Sequence, residues 1–466
     1  MTSAMGMALA KVTITTPKRG IDVALPENVT VAELLPYLLR HAGDDAPDAG
    51  ESHGGWALRR PTGEQLDPKQ TLGGQGVRDG EVLHLVPGQV EWPEIEYDDL
   101  VEAIASGARR YGRSWGKAAT RRCGLAVGAT VLSGSALLAL FFRAPWLVPG
   151  LVLLGVAVVL TVTGIVIARA VPDAQAGSVF AGSALPHAFV GGLVLTAPAE
   201  GGYGAFGGPQ LLLGSVALLV FGISGYLGVT VLGRVFIAAV ITGLLGVIGA
   251  LIGNSLDAGS AAAVVLVVGI GLLPGYPLLA IRLGRLPLPQ LPQRAADLLG
   301  DDPSPAAPVV FAATARADEI LSGLLLGVAV TSVVASVFVA VPGEVAELIM
   351  LTLVALSLLL RARLFPVARQ RIPLLAAGIV VAATLVEHFM AEASANTAPS
   401  LILAVVAAVG VLIALAGMVY SRRNPTPWFG RIADVVDVLA ILALIPFAGY
   451  ITGFFAYVQG LMASVG

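Results

Sequence analysis

Few residues in this 466-residue chain could do chemistry, and they stand far apart. His187 lies alone inside one apolar run. Glu387-His388 falls towards the end of another, and Asp434 and Asp437 fall towards the start of a third. None of these forms a carboxylate pair for acid–base work, a Ser/His/Asp set for nucleophilic attack, or the HExxH spacing of a metal site. Cys123 is the single cysteine, which excludes intrachain disulfides and thiolate metal clusters and reads as a small apolar residue opening a helix. The segment GGQGVRDG, 73–80, has the glycines of a turn but lacks the strand-to-helix context of a phosphate loop. No active site, cofactor or metal is expected, and the chain does not read as an enzyme.

The polar residues gather elsewhere, in short basic segments between apolar runs. Arg109, Arg110, Arg113 and Lys117 lead into the first run with Arg121 and Arg122. Arg294 sits in a Pro-rich connection, and Arg361 and Arg363 follow another run. The guanidinium fork suits carboxylates and phosphates alike, so these seven (Arg109, Arg110, Arg113, Lys117, Arg294, Arg361 and Arg363) are candidate contacts to partner proteins or lipid headgroups. A net charge of −3 argues against nucleic acid, which demands a concentrated basic face.

Elements that would position these segments follow from hydropathy. The chain is 56% hydrophobic and only 13% charged, against roughly a quarter charged in a soluble domain. Apolar windows of spanning length fall near 123–142, 146–168, 175–197, 209–231, 235–255, 260–281, 320–341, 345–360, 373–391, 399–420 and 433–457. The third is interrupted by Pro186-His187 and the eighth is short, so these two are the weakest of the eleven. With the N-terminus inside, nineteen Lys and Arg residues from Arg109 onwards lie on the cytoplasmic side, and only Arg143 lies outside. That asymmetry predicts a cytoplasmic N-terminus and a periplasmic C-terminus. No basic segment leads into an early apolar stretch, so no cleaved signal peptide is expected. Gly124/Gly128, Gly249/Gly253 and Gly323/Gly327 are spaced for close helix approach. The domain plan is 1–90 soluble, 91–122 a linker with a basic juxtamembrane helix, and 123–466 transmembrane, with a Pro-rich cytoplasmic loop at 282–317.

The first ninety residues read differently. KVTITT (11–16) and Ile21 to Leu25 alternate as a hairpin. Thr30 and Glu33 are spaced as a capping box for a helix whose inner face is Val31, Leu34, Leu35, Leu38 and Leu39, bent at Pro36. Residues 55–60 and 81–86 are further strands. The β-β-α-β-β order resembles the ubiquitin-like β-grasp fold. The resemblance sharpens at Thr71-Leu72, Val77 and Leu83-His84-Leu85-Val86, which match ubiquitin in type and spacing. Pro87-Gly88-Gln89 continues the chain where ubiquitin ends in a diglycine, so a protein modifier is excluded.

The fold class expected is thus an α+β ubiquitin-like N-terminal domain followed by an all-α polytopic membrane domain. Together with the lack of catalytic residues, it resembles the EccD family, polytopic membrane subunits of type VII (ESX) secretion systems. That resemblance implies a scaffold in the bacterial inner membrane, two copies of which associate into a helical barrel beside EccB, EccE and the ATPase EccC. The alternatives are a secondary transporter or permease with a regulatory ubiquitin-like domain, which would need ionisable residues near mid-membrane that the sequence hardly supplies, and a membrane enzyme acting on lipid, which would need a polar cluster at one interface.

Overall fold

The computed structural model describes residues 9–15, 20–42, 56–87, 115–141, 145–171, 173–198, 207–229, 231–287, 306–392, 398–422 and 427–465. Contacts divide the chain into two units, Met1–Ser114 and Trp115–Gly466.

In the first unit, β1 (Leu9–Thr15) and β2 (Gly20–Pro26) pair antiparallel, with Val12 opposite Val23 and Ile14 opposite Ile21. α1 (Val31–Ala42) follows, then β3 (Trp56–Arg59) and β4 (Val82–Pro87). β4 lies parallel to β1 and antiparallel to β3, giving the order β2-β1-β4-β3 of a β-grasp sheet. Period-two alternation turns Ala10, Val12 and Ile14 of β1, and Leu83 and Leu85 of β4, to one face. The helix lays Val31, Leu34 and Leu38 against it. Leu35 and Leu39 pack at its rim. Pro36 is exposed within the helix, which continues through it to Ala42. His84 is half-buried, as a strand residue between two core leucines.

The glycine-rich segment closes the domain. Gly76 and Gly80 have φ of +69° and +83°, conformations that other residues adopt only with strain. Arg60 pins this turn by donating to Glu81 at 2.8 Å, Glu64 at 3.0 Å and the Gln75 carbonyl at 2.7 Å. The two carboxylates, Glu64 foremost, hold its guanidinium above the ordinary arginine range.

The second unit contains eleven helices long and apolar enough to span a membrane among the described residues. They are α2 (Lys117–Leu138), α3 (Leu147–Ala170), α4 (Ala174–Leu195), α5 (Gly208–Gly228), α6 (Gly233–Ile252), a broken sixth span, then α9 (Ala307–Ala340), α10 (Val345–Ala362), α11 (Ala368–Glu392), α12 (Ala398–Arg422) and α13 (Pro427–Ile451). A one-turn 3₁₀ segment, Ala139–Phe141, prolongs α2. The sixth span is α7 (Ala258–Gly271), a 3₁₀ turn at Leu273–Gly275 and α8 (Tyr276–Leu283). Its break coincides with Pro274 and Pro277, and the Tyr276 hydroxyl donates to the Gly269 carbonyl at 3.2 Å across it. A short helix, α14 (Phe454–Val465), follows the last span.

Burial explains why the third apolar window is weak. α4 is the least apolar of the eleven spans and the most buried, whereas α12 is the most apolar and buries none of its most apolar stretch. A helix facing lipid on all sides must be apolar throughout. One enclosed by other helices instead needs small residues that let backbones approach. α4 supplies these: a methyl group added at Gly177 would lie 2.5 Å from the Gly164 carbonyl oxygen of α3, and one at Gly192 would lie 2.7 Å from the Leu213 carbonyl oxygen of α5. Gly323 and Gly327 of α9 seat Ile237 and Ile241 of α6 in the same way, whereas Gly124 and Gly128 of α2 face open space.

At 34 residues α9 is about 51 Å long, well beyond the ~30 Å hydrocarbon core. It begins at Ala307, so the last part of the 282–317 stretch, expected as loop, is the first three turns of this helix.

Candidate functional site

The charged side chains of the membrane unit collect at one end of its helices. Asp434 and Asp437 lie three residues apart and so share a face of α13. Two neighbouring carboxylates would repel unless each met a cation. The C-terminal end of α10 provides both cations, Arg361 in its last turn and Arg363 just after it. Arg361 pairs with Asp437 at 3.1 Å, the aspartate side chain only 4% exposed. Arg363 pairs with Asp434 and donates to the Gly430 carbonyl at 3.3 Å. Arg361 and Arg363, expected as contacts to partner proteins or lipid, join α10 to α13, because the acids that neutralise them lie within the same bundle.

A second cluster joins three helices. Glu319 of α9 accepts from the Arg234 backbone amide at 3.1 Å, from the Arg234 guanidinium at 3.4 Å and from Arg369 of α11 at 3.1 Å. Arg369 also pairs with Asp318, which accepts from the Gln370 amide at 2.6 Å. α6, α9 and α11 are fastened at this point. Beside them, Arg121 of α2 grips both oxygens of Asp173 at 2.7 Å and donates to Gln175 at 2.8 Å. Asp173 caps α4 by accepting from the Ala176 amide at 3.0 Å. That amide, then Arg121, holds its carboxyl below the usual carboxylate range. Arg169, in the last turn of α3, donates to the Gly228 and Leu227 carbonyls at 3.0 and 2.8 Å, satisfying the C-terminus of α5.

These partners lie at the starts of α2, α4, α6, α11 and α13, at the ends of α3, α5 and α10, and, for Asp318 and Glu319, three turns in from the start of the long α9. Successive spans run in opposite directions, so those termini belong to one end of the bundle, and the ion pairs make a single layer. A missed or extra helix would have separated the partners by a membrane thickness.

Among the described residues of this unit the buried His, Asp and Glu side chains are His187, Glu347 and Asp437. His187 is 3% exposed; its Nδ1 donates to the Ser183 carbonyl at 2.8 Å, and its Nε2 lies 3.1 Å from the Ser135 hydroxyl oxygen. It therefore joins α4 to α2 rather than standing alone. At the opposite end from the ion pairs, Asp257 caps α7 through the Ser260 amide at 3.0 Å, and the Ser260 hydroxyl donates to the Ile451 carbonyl at 3.1 Å. Contact with Ser260 holds the Asp257 carboxyl below its usual range. Gly343 there has a φ of +70°, and a methyl group on it would lie 2.4 Å from the His388 ring, so glycine is required twice over. Among the described residues no three His, Cys, Asp or Glu side chains are placed to hold a metal ion.

Of the other residues singled out from sequence, Lys117 is exposed at the first position of α2. Arg109, Arg110, Arg113 and Arg294 lie outside the described residues. Arg121, Arg234 and Arg369, with Asp173, Asp318 and Glu319, were missed as a set. Their signal was present, because these acids stand on the same side of the spans as the arginines. Counting only Lys and Arg for topology passes over it.

The arrangement fastens helices together. Each carboxylate in the layer meets a guanidinium. Comparison with known proteins places this architecture. Residues 120–461 match the EccD-like transmembrane domain, and residues 9–85 match YukD, a protein of the WXG100 protein secretion system. The ESX-3 secretion system protein EccD3 of Mycobacterium tuberculosis is 27% identical, over 97% of this chain and 98% of its own length. The ESX-4 secretion system protein eccD4 of the same organism is 26% identical, over 97% of each chain. Among solved structures, protomer 1 of the ESX-3 core complex superposes with a TM-score of 0.57 at 20% identity, over 97% of this chain and 100% of that one. A chain of the MycP5-free ESX-5 inner membrane complex gives a TM-score of 0.52 at 23% identity, over 89% of this chain and 100% of that one.

Proposed function

The chain belongs to the EccD family, and from that premise we propose that it is a scaffold subunit of a type VII secretion machine in the inner membrane. The observation that carries this reading is the ion-pair layer. Its charges join α2 to α4, α3 to α5, α6 to α9 and α11, and α10 to α13, which suits a rigid membrane frame. A coupled transporter would instead keep unpaired ionisable groups near mid-membrane to bind and release its ion.

In this reading the ubiquitin-like domain and the arginine-rich end face the cytoplasm, and Gly466 is periplasmic. Two copies associate into a helical barrel, and EccB, EccC and EccE dock around them, the ATP hydrolysis residing in EccC. Arg109, Arg110, Arg113, Lys117 and Arg294 make contacts to these partners or to lipid. Arg361 and Arg363 act indirectly, by setting the positions of α10 and α13.

Deletion of residues 288–305 tests this and leaves α8 and α9 whole. A scaffold predicts loss of co-purifying subunits and of secretion, with an unchanged yield of folded protein. Normal assembly and secretion in the deletion, together with loss of function in His187→Leu, would favour a transporter and overturn the proposal.

A further inference from the structure

Several exposed arginines at the same end of the bundle, Arg122, Arg371, Arg422 and Arg431 among them, stand apart from the ion-pair layer, and three more gather around one helix contact. Arg282, Arg285 and Arg316 are exposed, and among the described residues none of them forms an ion pair, whereas Arg121, Arg234, Arg361, Arg363 and Arg369 all do. They surround the contact of α8 with α9. Gly284 lies so close to Ala317 that an added methyl group would sit 2.7 Å from the Ala317 Cβ. Arg285 follows that glycine and Arg316 precedes that alanine, so their side chains leave from touching backbones. Arg282 adds a third charge from the last turn of α8.

The backbone singles out Arg285. α8 ends with the Arg285 amide bonded to the Arg282 carbonyl at 3.1 Å and the Leu286 amide to the Ile281 carbonyl at 3.2 Å. This is a Schellman turn, whose left-handed position glycine usually fills. Here an arginine fills it, at a φ of +52°, one of two non-glycine residues with positive φ among those described. Strain kept at a charged residue points to a use for the charge. The flanking surface is apolar: Leu278, Leu279 and Leu283 of α8 are exposed, as suits a face turned to hydrocarbon. Cations immediately beyond exposed leucines match an amphiphile with an anionic head and apolar tails.

We propose that Arg285 and Arg316, with Arg282 beside them, bind the headgroup of an anionic phospholipid whose acyl chains lie along Leu278, Leu279 and Leu283. The probe is phosphatidylglycerol, titrated into the purified full-length chain in mild detergent and followed by native mass spectrometry, with phosphatidylcholine as the neutral control. Arg285→Gly is the informative variant, because glycine suits the left-handed turn and the fold should melt at the same or a higher temperature. Arg285→Gly and Arg316→Gln should each weaken phosphatidylglycerol binding about fivefold, as expected for one arginine at an anionic surface. Phosphatidylcholine binding should not change, nor should Arg122→Gln or Arg422→Gln weaken phosphatidylglycerol. Equal weakening by Arg122→Gln would reduce the site to diffuse surface charge and overturn the proposal. Complete competition by millimolar inorganic phosphate would assign the site to a free anion. A photocrosslinker at position 316 that captures a protein subunit in the membrane, and no lipid, would assign it to a partner. Either result would equally overturn the lipid reading.

Discussion

Removing one partner of the Arg361–Asp437 pair should damage the membrane unit far more than removing both. At 3.1 Å and an effective dielectric of 20 the attraction is about 5 kcal/mol, and the desolvation of two ions offsets most of it. The pair is therefore near neutral as a whole. With Asp437→Leu the guanidinium stays between α10 and α13 without its carboxylate, at a cost of about 3–5 kcal/mol, a factor of roughly 10²–10⁴ in the folded-to-unfolded ratio. Asp434, one turn away and more exposed, can recover part of this, which favours the lower end. Arg361→Met should cost a similar amount by stranding Asp437. The double variant should return to within about 1 kcal/mol of the parent, because two apolar residues fill the same space. The assay is unfolding of the full chain in mild detergent by graded SDS, monitored by tryptophan fluorescence, for the parent, both single variants and the double. Two near-neutral single variants would refute the buried pairing. A double variant as unstable as the sum of the singles would show that the charges matter beyond each other.

Other outcomes follow from the packing and the caps. Gly323→Val should loosen α6 from α9 by a few kcal/mol, since even a methyl group would sit 2.6 Å from the Ile237 Cβ, whereas Gly124→Ala should be neutral; the same SDS titration separates them. In the isolated segment 1–90, Leu83→Ala should cost about 2–5 kcal/mol by urea unfolding, and the parent segment should unfold cooperatively. The lowered pKa of Asp173 is the case of a depressed acid. Its contribution is present at neutral pH and is lost as pH falls through the folded-state value below the usual carboxylate range. The melting temperatures of parent and Asp173→Asn should therefore differ at pH 7 and converge under strongly acidic conditions.

The ubiquitin-like fold was legible because its alternation is strict: Val12, Ile14, Leu83 and Leu85 were expected inward and all are buried. The eleven spans were legible from length and apolarity, including the short eighth, which is an 18-residue helix from Val345 to Ala362. The extension of α9 to Ala307 was not, because Pro308 fits the first turn of a helix as well as it fits a loop. The ion-pair layer was hidden for a different reason. Arg361 and Asp437 are 76 residues apart in sequence, and only the packing of α10 on α13 brings them together. Two of the GxxxG pairs illustrate the same limit. Gly323/Gly327 seats isoleucines while Gly124/Gly128 seats nothing, and the spacing is identical.

The central claim, that this chain is a scaffold in a secretion complex, is tested most directly by affinity purification from gently solubilised membranes of the native host. The account predicts that the tagged chain brings down other type VII secretion subunits, an ATPase among them, in constant ratio through a sizing column, and that residues 288–305 are needed for this. Recovery of the chain free of other subunits, with the secreted proteins still exported at normal levels when it is deleted, would contradict it.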